Sequence, residues 1–235
     1  MKTIGLLGGM SWESTQWYYQ VINQGIKAKL GGLHSAKIAL YSVDFAEIEQ
    51  LQMQGDWQKA GEVLAQAALG VEKCGADFLL ICTNTMHKVA PEIQAKLSIP
   101  LLHIADATAE ELIKQGVSKV GLLGTAFTME QDFYKGRLEE KYGLEVVIPN
   151  QNDRQIAHKV IYDELCLGHI QEHSKQDYLR IIKELANQGA QGVILGCTEI
   201  GLLVKQTDTQ VKLFDTTFIH ADAAIKQALA INAAA

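Results

Sequence analysis

The sequence predicts an α/β fold of two pseudo-symmetric, Rossmann-like parallel-sheet domains, with the active site in the cleft between them. Three observations carry that expectation. Short apolar, β-branched runs alternate with longer segments of helical period along almost the whole chain, the pattern of parallel strands joined by helices. The strand-turn IGLLGG at residues 4–9 returns as VGLLGT at 120–125, an offset of 116. The segment GADFLLICTNT from Gly75 returns as GAQGVILGCTE from Gly189, an offset of 114. Two matches at nearly one offset read as a duplication.

The elements follow in chain order. Residues 3–7 form an apolar strand that Gly8 and Gly9 end, and a helix over 12–29 follows behind Ser11 or Ser14 as its cap. A strand over 37–42 and a helix over 57–73 come next, then the continuous apolar run 78–82 of a buried strand, a short strand over 101–103 and a helix over 105–114. The second half supplies strands over 119–123, 145–148, 192–195 and 212–214 and helices over 128–142, 155–165, 174–188 and 217–230. The first domain is expected to hold residues 1–104 and 212–235 and the second 105–211, with 44–56 as a candidate lid.

Composition narrows the function. Hydrophobic residues make up 48% and charged residues 20% of 235 residues, ample for a packed core. The formal charge of -6 comes with no basic run to release counterions, so nucleic acid is not an expected partner. No apolar stretch reaches the roughly 20 residues of a membrane span, and the start carries no cleavable signal pattern. A cytoplasmic location is expected. Cys74, Cys82, Cys166 and Cys197 stand 8, 84 and 31 residues apart, spacings of neither a zinc knuckle nor a CxxC motif. No metal and no cofactor are expected. GxGxxG is missing too, because Gly5, Gly8 and Gly9 have the wrong spacing for a dinucleotide fingerprint.

Polar clusters lie just past the carboxyl ends of buried strands, where open parallel sheets bind ligands. In GLLGGMSWEST, Met10 and Ser11 lead into a helix whose first N–H groups suit a carboxylate. Adding 114 to Thr83, Asn84 and Thr85 gives Cys197, Thr198 and Glu199, and Thr125 closes the second glycine turn. The helical turn after Cys197 is expected to lower its thiol pKa from about 8.5, making Cys197 the candidate base. Removing an α-proton from one face of a carbon acid and returning one to the other needs a group on each face. The position facing Cys197 is the alcohol Thr83, a weak acid and a weak base.

These residues resemble the aspartate/glutamate racemase family of cofactor-independent amino-acid racemases. The likeness runs through GLLGGMSWEST, CTNTMHK at 82–88, GLLGTAFTMEQDFY at 121–134, IYDELCLG at 161–168, VILGCTEIGLL at 193–203 and FDTTFIHADAA at 214–224. It implies two pseudo-symmetric α/β domains, a homodimer, no metal or coenzyme, and two catalytic thiols flanking a small amino-acid substrate. Carried over, the second thiol is Cys197; the first directly precedes an Asn-Thr pair, which places it at Thr83 and leaves Cys82 one residue early. The chain therefore resembles a subgroup with a Thr and Cys pair, for which enantiomer-biased proton exchange is expected. A water, or Thr83 acting through His87, would serve the weak face.

The expected catalytic residues are Cys197 and Thr83, and the substrate-binding set is Met10, Ser11, Gln52, Asn84, Thr85, Thr125, Thr198 and Glu199. Residues 43–52 contain no Arg or Lys to pair with a distal carboxylate, only Gln52 as a neutral donor. Aspartate or glutamate is the family default, and a polar neutral amino acid such as homoserine competes with it. A one-thiol decarboxylase or isomerase and an amino-acid-binding protein with weak turnover are the alternative readings.

Overall fold

A computed structural model describes residues 1–230, and residues 231–235, placed by the sequence in the first domain, lie outside the described residues. The chain divides into two units, Met1–Ile104 with the segment from His220 onward, and Ala105–Ile219. The strands are β1 (Ile4–Gly8), β2 (Ile38–Ser42), β3 (Phe78–Ile81), β4 (Lys119–Gly124), β5 (Glu145–Val147), β6 (Val193–Gly196) and β7 (Leu213–Asp215). The α-helices are α1 (Trp12–Leu30), α2 (Phe45–Gln54), α3 (Trp57–Lys73), α4 (Ala90–Gln94), α5 (Ile104–Lys114), α6 (Ala126–Glu130), α7 (Gln151–Asp163), α8 (Glu172–Asn187), α9 (Ile200–Leu203) and α10 (Thr216–Leu229).

The first unit is a parallel sheet of order β2-β1-β3. Side chains of β3 alternate between two cores, as the period of a strand requires. Leu79 and Ile81 join Leu64, Ala68 and Val71 of α3 and Ile48 of α2. Phe78 and Leu80, with Cys82 just beyond the strand, join Tyr18, Ile22 and Ile26 of α1 and Ala221, Ala224 and Ile225 of α10. Each fully buried aliphatic chain contributes about 1.5–3 kcal/mol, so truncating Leu80 to Ala would cost about 2–5 kcal/mol with its cavity. The predicted strand over 101–103 shrinks to one bridge, Leu101 to Leu79.

One difference from the expected elements has a local cause. Residues 45–54, read as part of a lid, form α2, because the Asp44 side chain accepts from the Ala46 N–H and Gly55 turns left-handed at φ 71°. Ile48 of α2 is fully buried, which anchors the segment.

The second unit is a parallel sheet of order β5-β4-β6-β7. Since β7 pairs with β6, residues 212–219 belong to this unit, and the chain returns to the first at His220 rather than at 212. The helix expected over 128–142 is broken. It stops at Glu130, Gln131 is extended, and the chain winds again over 135–142, with Arg137–Lys141 as a wide π turn. Asp106 of α5 holds that turn: the Arg137 guanidinium donates two bonds to it at 2.6 and 2.7 Å and Lys141 one at 2.9 Å. Tertiary ion pairing wins over local helical period here.

Candidate active site

In the first unit the site is built where β1 runs into α1. Gly8 lets the helix fold back closely, because a Cβ there would stand 2.4 Å from a methyl of Thr15. Thr15 Oγ1 accepts from the Gly9 N–H at 2.8 Å and donates to the Ser11 carbonyl at 2.8 Å. Ser11 caps α1, its hydroxyl accepting from the Ser14 N–H at 3.3 Å, and the Ser14 hydroxyl donates to the Cys82 carbonyl at 2.9 Å. That last bond ties the turn after β1 to the end of β3.

Beyond β3 come Thr83, Asn84 and Thr85, all buried. Gln52, expected to meet substrate, is buried on α2 and its amide donates to Met86 Sδ at 2.8 Å, while Met10 lies in the same core cluster as Met86. His87 is the expected relay for Thr83. Its Nδ1 instead lies 2.8 Å from the Thr83 carbonyl oxygen, and its Nε2 accepts from the Ile104 N–H at 3.2 Å. The ring packs against His103 and His220, with centroids 4.5 and 5.9 Å away.

In the second unit Thr125 caps α6, accepting from the Thr128 N–H at 3.2 Å, and the two hydroxyls are 3.1 Å apart. Ser11 with Ser14 and Thr125 with Thr128 thus share one capping spacing at the two glycine turns. The Cys197 thiol donates to Glu199 Oε2 at 3.0 Å, and the Thr198 hydroxyl donates to the same oxygen at 2.6 Å. All three side chains are buried.

The pKa expected for Cys197 is corrected by this setting. Burial pushes the thiol well above its usual value, with the Glu199 charge and nearby Cys166 adding to the shift. The helix after it, Ile200–Leu203, spans four residues, too short to supply the dipole that would stabilise a thiolate against desolvation. At neutral pH Cys197 is a thiol that aims its proton at a carboxylate.

Each cluster has a fixed place in the register of its own sheet. Gly124 pairs with Gly196, and Cys197 follows. Leu7 pairs with Ile81, so Gly8 falls level with Cys82, and Thr83 follows. Cys82 itself lies in the core against α1 and α10, where burial raises its thiol pKa.

Some neighbours escaped the sequence reading. His158 Nδ1 accepts from the Ala126 N–H at 3.3 Å behind Thr125, and burial lowers its pKa. Tyr178, whose pKa is pushed up by burial and by neighbouring Cys197, donates to the Ala157 carbonyl at 2.8 Å. The capping spacing could have drawn attention to Thr128; nothing local marks His158 or Tyr178. Among the described residues no group of three or more His, Cys, Asp and Glu side chains is arranged to hold a metal ion, and no helix is long and apolar enough to cross a membrane.

Comparison with known proteins gives consistent likenesses. The pattern of the Asp/Glu/Hydantoin racemase family matches residues 7–224. The chain is 26% identical over 230 residues to the broad specificity amino-acid racemase of Bacillus subtilis, covering 97% of this chain and 98% of that one. A crystal structure from Yersinia pestis, described as a candidate Asp/Glu racemase, superposes with a TM-score of 0.91 at 60% identity, covering 98% of this chain and 100% of the other. An aspartate racemase homologue from Pyrococcus horikoshii superposes with a TM-score of 0.83 at 38% identity, covering 97% and 99%.

Proposed function

The chain belongs to the Asp/Glu/Hydantoin racemase family, and from that premise we propose that it interconverts the enantiomers of a free amino acid without a coenzyme, by proton transfer at Cys197 with Thr83 on the opposite face of the α-carbon. The observation that carries this reading is the hydrogen bond from the Cys197 thiol to Glu199 at 3.0 Å. A buried thiol is a poor base until its proton has somewhere to go. Glu199 Oε2 takes that proton, and the thiolate, whose conjugate acid has a raised pKa, is then a strong base toward the α-hydrogen.

In that direction the α-proton passes to Sγ, and the carbanion is protonated on its other face by the Thr83 hydroxyl or a water held there. In the reverse direction a water or the Thr83 oxygen, its own proton passed to solvent, takes the α-proton, and the Cys197 thiol delivers its proton to the other face of the carbanion and is reprotonated from solvent. The Thr83 face is the slower of the two, since a neutral alcohol is far less acidic than a thiol. The substrate carboxylate has the start of α1 behind Ser11, with the dipole of a 19-residue helix, as its counterpart. Asn84, Thr85, Thr125 and Thr198 supply neutral polar groups. For the side chain, Gln52 offers a dipole and no charge, which supports acidic and polar neutral amino acids, homoserine among them, as the substrate class. The broad specificity of the Bacillus subtilis relative is in keeping with that range.

Incubation with each enantiomer of aspartate, glutamate and homoserine in heavy water should place deuterium on the α-carbon, and Cys197→Ala should stop it. An unaffected variant would remove Cys197 from the mechanism. One observation favours a second reading: a thiol held protonated also suits delivery of a proton to an enolate, as a one-thiol decarboxylase requires. Product analysis with malonate-type substrates separates the two, and tight amino-acid binding with neither product nor exchange would mark a binding protein.

A further inference from the structure

We infer that His87 is the positioning residue for Thr83, anchoring it to the peptide at which the chain leaves the first unit; the functional part of this inference rests on the racemase reading above. The chemistry of the ring fixes its state. A carbonyl oxygen only accepts, so the Nδ1 atom 2.8 Å from the Thr83 oxygen carries a proton. A backbone N–H only donates, so the Nε2 atom 3.2 Å from the Ile104 nitrogen bears a lone pair. His87 is therefore neutral, in the Nδ1–H tautomer, and both of its nitrogens are on main chain. It is not placed as a proton relay, because its bond runs to the carbonyl of Thr83.

The surroundings hold the ring in that role. His87 is 1% exposed, wedged against His103 and His220. His220 is itself fixed, its Nε2 2.8 Å from the Leu102 carbonyl and its Nδ1 2.8 Å from the Tyr18 hydroxyl. The chain leaves the first unit after Ile104 and re-enters it at His220, so both ends of that excursion meet the histidine that holds Thr83. The orientation of the peptide after β3, and with it the direction of the Thr83 side chain, is set from the crossover through this ring. A misplacement of about 1 Å at a reacting group costs about a hundredfold in rate, so a group fixing that peptide acts on turnover without touching substrate.

Two variants separate the two bonds. Asparagine reaches the Nδ1 position, so His87→Asn keeps a donor for the Thr83 carbonyl; glutamine reaches the Nε2 position, so His87→Gln keeps an acceptor for the Ile104 N–H. Deuterium wash-in from each enantiomer is the readout. His87→Gln should lose about tenfold or more in kcat for proton exchange on the Thr83 face, with KM and Cys197-face exchange within about twofold. His87→Asn should stay within about threefold on both faces. Equal losses on the two faces in both variants, or full activity in His87→Gln, would overturn the assignment. The tautomer is read independently of turnover from the long-range proton–nitrogen correlations of the wild-type ring. A neutral Nδ1–H pattern supports the placement, and an Nε2–H or doubly protonated ring overturns it. A wild-type protein that exchanges no amino acid would count against the racemase reading and leave the placement of His87 to be judged by the tautomer.

Discussion

The Cys197 thiol aims its proton at Glu199 Oε2 from 3.0 Å, and the Thr198 hydroxyl occupies the same oxygen at 2.6 Å. The pairing predicts that Glu199→Gln, which keeps the shape and an accepting oxygen but cannot take up a proton, lowers α-proton exchange by about a hundredfold to ten-thousandfold. Exchange measured by mass spectrometry within twofold of wild type would remove Glu199 as the proton acceptor.

The four thiols should alkylate in an order set by burial and charge. Cys74 is exposed, whereas Cys82 and Cys197 are buried with raised pKa values. Iodoacetamide at pH 7 should modify Cys74 first, and Cys197 labelling should climb about tenfold per pH unit through pH 9, since the thiolate is the nucleophile. A Cys197 labelling rate that is flat between pH 7 and 9 would show a thiolate already formed at neutrality, contrary to its setting.

Thr83→Cys should make the two faces of the α-carbon more alike. A thiol transfers protons far more readily than an alcohol, so racemisation should rise about tenfold or more and the bias in deuterium incorporation should shrink. If the bias persists unchanged in a folded variant, the slow face lies elsewhere than at Thr83.

Folding stability should fall in mild acid through His220. Burial pushes its pKa down to about 4, the bond to the Leu102 carbonyl opposing that shift only in part. A histidine near 6.5 in the unfolded chain takes up its proton there first, so stability is full above about pH 6.5 and is lost as pH falls toward 4. The difference amounts to about 3 kcal/mol at the acid end. The groups facing the ring are Tyr18 and His87. Urea unfolding of wild type and His220→Gln at pH 7.5 and 4.5 checks this. The variant should start lower and lose less over that interval, and parallel losses would place the acid sensitivity in other groups.

Sequence pattern made the sheets legible because parallel strands buried on both faces are continuous apolar runs. All seven strands lie within a residue of their expected start and end, and β1, β3, β4 and β6 carry the internal repeat. The position of Thr83 was readable for the same reason, since register survives in the offset between GADFLLICTNT and GAQGVILGCTE. What was not readable depends on contacts distant in sequence. The break after Glu130 follows from Asp106 holding Arg137 and Lys141. The raised Cys197 pKa follows from burial, which the four residues of α9 cannot offset. The link from His87 to Ile104 joins residues that no local spacing connects.

The packing of α10 onto the first unit sets an order on biosynthesis. Ala221, Ala224, Ile225 and Ala228 complete the core formed by Ile4, Leu6, Tyr18, Phe78 and Leu80, and Ile225 fills the space that Gly25 leaves open, where a Cβ would stand 2.3 Å from its Cδ1. Domains made on the ribosome fold as units as they emerge, yet here the amino-terminal unit has a core that stays open until residues beyond the whole second unit have been synthesised. The later-made unit, Ala105–Ile219, is contiguous and is the first that can close. The nascent amino-terminal half therefore waits with apolar surface uncovered, the state in which a chaperone would meet this chain.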